Sequence, residues 1–349
     1  MSLVKFDIQN RIGIITLDRD GALNAINYEM FTVLRQYIIA WEEDPNIDAV
    51  VIKSNNDKAF CSGGDLKSLY YYHQEQEGQK TFPKFRQFFW EEYELNRIIH
   101  HYKKPYIALI NGIAMGGGLG VSMHGSHRIV CEDVRLAMPE TAIGFFPDAG
   151  SSYLFSRSPG QLGLFLGLTG WQMNAADAVY AGIATHFMPK EHFDTFLEAL
   201  VKVDTAGRAE EIIFELLDMF AGGEIPMLST LQKNRDMIDT CFSQKGVDNI
   251  MTELQLHKNP WAYQILDKLE EASPLSLKVT YELLKLAPKK NFDFLSQLDF
   301  ILSQNFVKGS EFFEGIRAKI IDKDGDPDWQ YKKTEDISDN RVAEYFKER

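Results

Sequence analysis

The chain has 349 residues, 45% of them hydrophobic and 25% charged, an ordinary globular composition that excludes a disordered or low-complexity protein. Its formal charge of -13 and pI near 5.1 repel nucleic acid and anionic membranes, so neither is expected as a partner. No apolar run approaches the roughly 18–20 residues that span a bilayer, and Cys61, Cys131 and Cys241 are too widely spaced for a disulfide framework or a zinc site.

Read in chain order, the opening MSLVKFDIQNRIGIITL enters a strand pattern at once, without the composition of a secretory or transit leader. With three unpaired cysteines this points to a reducing compartment, the cytoplasm by default or the mitochondrial matrix if a leader is missing. Residues 11–17 predict a strand, and 28–43 a helix ended by Asp44 and Pro45. A short apolar strand over 49–53 leads into a polar loop at 54–58. A longer helix is predicted over 82–102, stopping before Pro105, and a buried strand over 106–110 precedes the glycine-rich segment 112–120. Strand and helix alternate, which implies an α/β sheet with crossover helices. Beyond about residue 205 the patterns are amphipathic and helical, broken at 222–226 and at Pro274. The expected division is therefore 1–205 and 206–349.

Three segments carry the chemistry. Ala59-Phe60-Cys61-Ser62-Gly63-Gly64-Asp65-Leu66 follows a strand, and its two glycines let the backbone turn sharply with an N–H left pointing into open space. Asn111 to Gly120 holds three consecutive glycines, Gly116 to Gly118, between a buried strand and an apolar helix, which places bare amides at a helix start. A tight turn and close helix–strand packing explain either segment alone. Two together suggest an oxyanion hole with one N–H from each. The spacing is not that of a dinucleotide-binding GxGxxG.

The third segment, MPETAIGFFPDAG, sets Glu140 and Asp148 eight positions apart in apolar surroundings. Carboxylates there are partly desolvated, and a pair of them drives the two pKa values apart, as acid–base or nucleophilic chemistry requires. Helix capping or pairing with surface cations would account for them equally well. Glu92 lies on the apolar helical stripe of Phe85, Phe88, Leu95 and Ile99, where a carboxylate needs either a cation or a ligand.

Together, FCSGGDLKSL, LINGIAMGGGLG and MPETAIGFFPDAGSSY resemble the crotonase superfamily (enoyl-CoA hydratase/isomerase fold), closest to its 3-hydroxyisobutyryl-CoA hydrolase branch. The likeness runs nearly end to end, through LTGWQMNAADAVYAGIATHF, ASPLSLKVT and FFEGIRAKIIDKD. It implies a crotonase-like spiral of ββα units over 1–205. The helical region that follows would cover the site or form contacts, those of a homo-oligomer included. It implies Gly64 and Gly117 as the two oxyanion N–H donors. Superfamily hydratases carry a catalytic glutamate two residues after the glycine triplet, where this chain has Gly120. Their second glutamate matches Glu140, and Asp148 stands where the hydrolase branch has aspartate.

One acid lost and one gained favour the hydrolase over a hydratase or isomerase of the same fold, or a non-catalytic acyl-CoA-binding protein. The implied reaction is hydrolysis of 3-hydroxyisobutyryl-CoA, a valine-degradation step, with CoA as part of the substrate and no cofactor or metal. Glu140 attacks the carbonyl to form a mixed anhydride or activates water; Asp148 orients it, protonates the leaving thiolate or positions the water. Substrate contacts implied are Glu92, accepting from the 3-hydroxyl, together with Gly117, Glu140 and Asp148, and Lys67 near the CoA phosphates. Arg317 and Lys323 are weaker candidates for the same phosphates. Cys61 reads as a small buried cysteine rather than a nucleophile, and His124, His127 and His186 as core or surface residues.

Overall fold

A computed structural model describes residues 3–75 and 83–348. Nine strands are seen among these residues: β1 Val4–Gln9, β2 Ile12–Leu17, β3 Ala49–Ser54, β4 Ala59–Cys61, β5 Tyr106–Ile110, β6 Ile113–Met115, β7 His127–Val130, β8 Arg135–Ala137 and β9 His186–Phe187. One sheet has the order β1-β2-β3-β5-β7-β9 and the other β4-β6-β8. β1 and β2 form an antiparallel hairpin, and β2, β3, β5, β7 and β9 run parallel.

The sequence explains the pairing. The hairpin turns at Asn10 and Arg11, both at positive φ, the twist that a two-residue connection needs. β3 and β5 are nearly continuous apolar runs because both faces of a parallel sheet are covered. One face shows the period of two: Ile12 and Ile14, Ala49 and Val51, Ile107 and Leu109, and Ile129 form a single buried cluster. The helices Phe193–Lys202 and Ala209–Phe220 pack on it through Phe196, Leu200, Ile213 and Leu217.

The helix Tyr28–Glu43 starts where Asn27 accepts the Met30 N–H, and it buries Met30, Phe31, Leu34, Ile38 and Trp41 along one stripe. Its bounds, and those of β5, agree with the sequence expectation. The long helix runs over Pro83–His100 rather than 82–102; Phe82 lies outside the described residues. The segment 112–120 contains a strand that its glycines concealed. Gly112, at φ +57, has no room for a Cβ, which would lie 2.2 Å from the Lys58 carbonyl oxygen. That close approach brings β6 alongside β4 as the second sheet.

After β9 the described chain is helical, as expected from its amphipathic patterns. Pro274 is the first residue of the helix Pro274–Leu286, capped by Ser273, so the break there is a helix start. The chain divides into two compact units, each discontinuous in sequence. The first comprises 1–64, 94–136 and 172–232; the second 65–93, 137–171 and 233–349. Among the described residues, no helix is long and apolar enough to cross a membrane.

Candidate active site

The first unit builds the two glycine loops. β4 and β6 pair in parallel, so the segments that follow them, 62–64 and 116–118, leave the same edge of the small sheet. Gly63 is at φ +115, and a Cβ built there would stand 3.2 Å from Met115 O and 3.9 Å from Gly117 N. The loops therefore touch. Gly64 N and Gly117 N find no acceptor among the described residues. An oxyanion hole requires two amides of this kind. The helix after the triplet, Gly117–Gly120, has only four residues. Gly117 is its first residue, so its amide lies at a helix start as the sequence implied, although so short a helix adds little macrodipole.

Cys61 lies beneath the first loop, where its Sγ accepts the Gly63 N–H at 3.4 Å. Gly118 packs against the same residue; a Cβ there would fall 2.3 Å from Cys61 O. Gly118→Ala should push the loops apart, lowering kcat by ~10²-fold with one donor misplaced and stability by about 1–3 kcal/mol. Steady-state rates and Tm check this, and a variant within twofold of the wild-type rate would contradict it.

The second unit gathers carboxylates. Glu140 opens the short 3₁₀ turn Glu140–Ile143. That turn is fixed by its backbone: Thr141 O accepts from Ser273 N at 3.0 Å, and the Thr141 hydroxyl donates to Leu168 O at 3.1 Å. Gly144 closes it at φ +69, so near the Glu311 carbonyl that a Cβ would fall 2.3 Å from it. Asp148 accepts a hydrogen bond from the Tyr93 hydroxyl at 2.7 Å. Glu92 and Tyr93 stand side by side on the helix Pro83–His100.

Glu92, Glu140 and Asp148 are each at most 7% exposed, and a fourth carboxylate, Asp299, is fully buried. The same unit contains a stack of Phe89, Phe145, Phe146, Phe306 and Phe312, with Phe145 4.6 Å from Phe312 and 5.4 Å from both Phe89 and Phe306. Among the described residues none of the four carboxylates forms an ion pair with a cation, which removes the ion-pair account of Glu92, Glu140 and Asp148. Burial is the main cause that raises their pKa values, and neighbouring carboxylates add to it for Glu92, Glu140 and Asp299. Glu140 is pushed well above the usual range by burial and by Asp148, and Glu92 by burial, Asp148, Glu140 and Asp299. Asp148 is raised by burial to about 7, against the lowering effect of the Tyr93 hydrogen bond. One Glu140 oxygen, Oε2, is buried without a partner.

Such a cluster can exchange protons near neutral pH and deliver a desolvated carboxylate to an electrophile. Tyr93, Asp299 and the aromatic stack were missed in the sequence. Asp299 had a usable signal, a carboxylate on the apolar stripe of Leu295, Leu298 and Leu302, the criterion that singled out Glu92.

The remaining candidates separate. Lys67 is exposed in the first turn of the helix Leu66–Glu75, which Asp65 caps by accepting from the Ser68 N–H and hydroxyl. Arg317 is taken up by Glu314, Asp322 and Asp324 at 2.5–2.9 Å, and Lys323 is exposed in the adjoining loop. The His127 and His186 rings, far apart in sequence, stack 6.2 Å apart; burial, then His186 and Arg128, push His127 down to about 4. His124 is buried. Among the described residues no group of three or more His, Cys, Asp or Glu side chains could hold a metal ion.

The class of the protein follows from comparison: the enoyl-CoA hydratase/isomerase family model matches residues 12–346, so the chain belongs to that family. Within it, the mitochondrial 3-hydroxyisobutyryl-CoA hydrolase of Xenopus tropicalis is 39% identical, over 96% of this chain and 86% of its own length. The Homo sapiens protein of the same name is 37% identical over the same shares. Among solved structures, a carnitinyl-CoA dehydratase from Mycobacterium thermoresistibile superposes with a TM-score of 0.91 at 32% identity, covering 99% of this chain and 97% of its own. An enoyl-CoA hydratase from Rhodobacter sphaeroides gives 0.88 at 33%, with the same coverage.

Proposed function

We propose that this chain is an acyl-CoA thioester hydrolase acting on 3-hydroxyisobutyryl-CoA, releasing 3-hydroxyisobutyrate and free CoA in valine catabolism. The observation that carries the reading is the exchange of acids: Gly120 has no side chain where hydratases of the family place a carboxylate, while Asp148, held by Tyr93, adds its charge to that of Glu140. Gly64 and Gly117 N–H groups hold the thioester oxygen as negative charge develops on it. Glu140 removes a proton from the attacking water, or attacks the carbonyl carbon itself to form a mixed anhydride. The C–S bond then breaks and the thiolate leaves with a proton, which Asp148 is poised to supply near pH 7. On the anhydride route a water molecule then hydrolyses the anhydride, freeing the acid, regenerating Glu140 and returning a proton to Asp148. Glu92 receives the substrate's 3-hydroxyl, and Lys67 meets the CoA phosphates.

No step in this scheme requires a metal or a cofactor other than the substrate's CoA. Dialysis against EDTA should leave the rate unchanged; loss restored by zinc or magnesium would contradict the scheme. The three cysteines are free, which suits a reducing compartment, the cytoplasm or the mitochondrial matrix; the curated relatives are named mitochondrial.

The hydratase and dehydratase titles of the two structural neighbours favour a second reading, addition of water to an enoyl-CoA. A panel of 3-hydroxyisobutyryl-CoA, isobutyryl-CoA and crotonyl-CoA separates them. The hydrolase releases free thiol, fastest from the hydroxylated ester. A hydratase consumes the enoyl absorbance of crotonyl-CoA without releasing thiol, and that outcome would replace the first reading.

A further inference from the structure

Asp299 has no part in the scheme above, yet it is one of the best-buried carboxylates in the chain. It sits in the middle of the helix Phe292–Phe306, and its Oδ2 accepts the Gly150 N–H at 2.9 Å across 149 positions of sequence. Gly150 belongs to the turn that carries Asp148. The turn runs from Asp148 to Ser151 and is closed by Ser151 N–H donating to Asp148 O at 2.9 Å. Both central residues are left-handed, Ala149 at φ 53 and Gly150 at φ 74 with ψ 8. This is a type I′ geometry, which glycine or asparagine takes readily and alanine resists. An alanine held there persists only where its surroundings over-determine it.

We propose that Asp299 is a positioning residue for the hydrolysis: by accepting the Gly150 N–H it holds the strained turn that presents Asp148. The inference rests on the reading of Asp148 as a site residue. Asp299 does this with its proton held more tightly than in water. Burial drives its carboxyl well above the aspartate range, the Gly150 hydrogen bond opposes this, and the charge of Asp148 adds to it. Glu92 and Tyr93 on the helix Pro83–His100 face the same group, with Asp299 raising both. Arg86 on that helix lies over the ring of Phe300, next to Asp299 in sequence, at 5.0 Å. The helix Asp339–Tyr345, also packed on Phe292–Phe306, brings Arg341 and Tyr345, whose ring meets Phe306 at 4.8 Å. A proton on Asp299 leaves one oxygen to accept from Gly150 and adds no negative charge beside Asp148, so the same carboxyl positions the turn without blocking its ionisation.

The test uses the full chain and three substitutions, with thiol release from 3-hydroxyisobutyryl-CoA as the readout. Asp299→Ala removes the acceptor and should lower kcat by about 10–100-fold with little change in KM, the signature of a misplaced group. Asp299→Asn keeps an acceptor and the neutral form, so it should recover kcat to within about threefold of wild type, with the acid limb of the pH profile unmoved. Ala149→Gly, which relaxes the turn, should restore part of the rate when added to Asp299→Ala. If Asp299→Ala does not fold, Asp299→Ser removes the reach to Gly150 with a polar side chain and replaces it in each comparison. Wild-type kcat in the Ala or Ser variant overturns the proposal, as does an Asn variant as slow as Ala or one whose acid limb shifts. A wild-type protein that releases no thiol would instead overturn the functional reading itself.

Discussion

Glu140→Gln should abolish nearly all turnover and at the same time raise the melting temperature at alkaline pH. The amide keeps the shape of the carboxyl but can neither attack a thioester nor take a proton from water, so kcat should fall by ~10²–10⁴. The stability change has the opposite sign because Glu140 holds its proton more tightly folded than unfolded, through burial and then Asp148. A carboxyl with a raised folded-state pKa contributes stability that is complete below its unfolded pKa and lost as pH rises through the folded one. Above pH 7 the wild type therefore carries the penalty of ionising a buried cluster. For Asp148, moved from 3.8 to about 7, that penalty on the charged form is at most ~4 kcal/mol. The gain in Tm for Glu140→Gln should be larger at pH 8 than at pH 5. Calorimetry at both pH values and a thiol assay on one preparation check it. A variant with more than a tenth of the wild-type rate would remove Glu140 from the mechanism.

Substrate choice should depend on Glu92 almost as strongly. Wild type should prefer 3-hydroxyisobutyryl-CoA over isobutyryl-CoA by ~10² or more in kcat/KM, because a site built around a hydroxyl leaves its buried polar group unpaired with the deoxy analogue. Glu92 serves in either protonation state, since an ionised carboxylate accepts from the hydroxyl and a protonated one can also donate. Glu92→Ala should shrink the ratio by slowing the hydroxylated substrate, leaving the deoxy ester nearly unchanged. A purely structural Glu92 predicts a lower Tm with unchanged selectivity. The two specificity constants, measured beside the melting curve, distinguish these results.

Much of this was readable from local pattern. The capped helix Tyr28–Glu43 and the apolar strand β5 have signals contained within their own residues, and each appears where its pattern places it. Glu92 stood out because a carboxylate on an apolar stripe breaks helical periodicity, and Glu140 and Asp148 because they interrupt an apolar, turn-rich segment. What stayed hidden depends on contacts between distant parts of the chain. β6 reads as part of a glycine loop until Gly112 is seen pressed against Lys58. Asp299 satisfied the same periodicity test as Glu92, yet its partner Gly150 lies 149 positions away, and no local pattern names it. Arg317 looked available to phosphate, but three carboxylates on the neighbouring segment close on it. Composition records how many charges a chain has; only the fold decides which of them face each other.

The claim that water cleaves the thioester C–S bond is tested most directly by running the reaction in ¹⁸O-labelled water. The products of 3-hydroxyisobutyryl-CoA should be free CoA and an equal amount of 3-hydroxyisobutyrate labelled in its carboxyl group, whichever way Glu140 acts. An intact thioester that gains label at carbon 3, with no CoA released, would show reversible hydration instead and contradict the account.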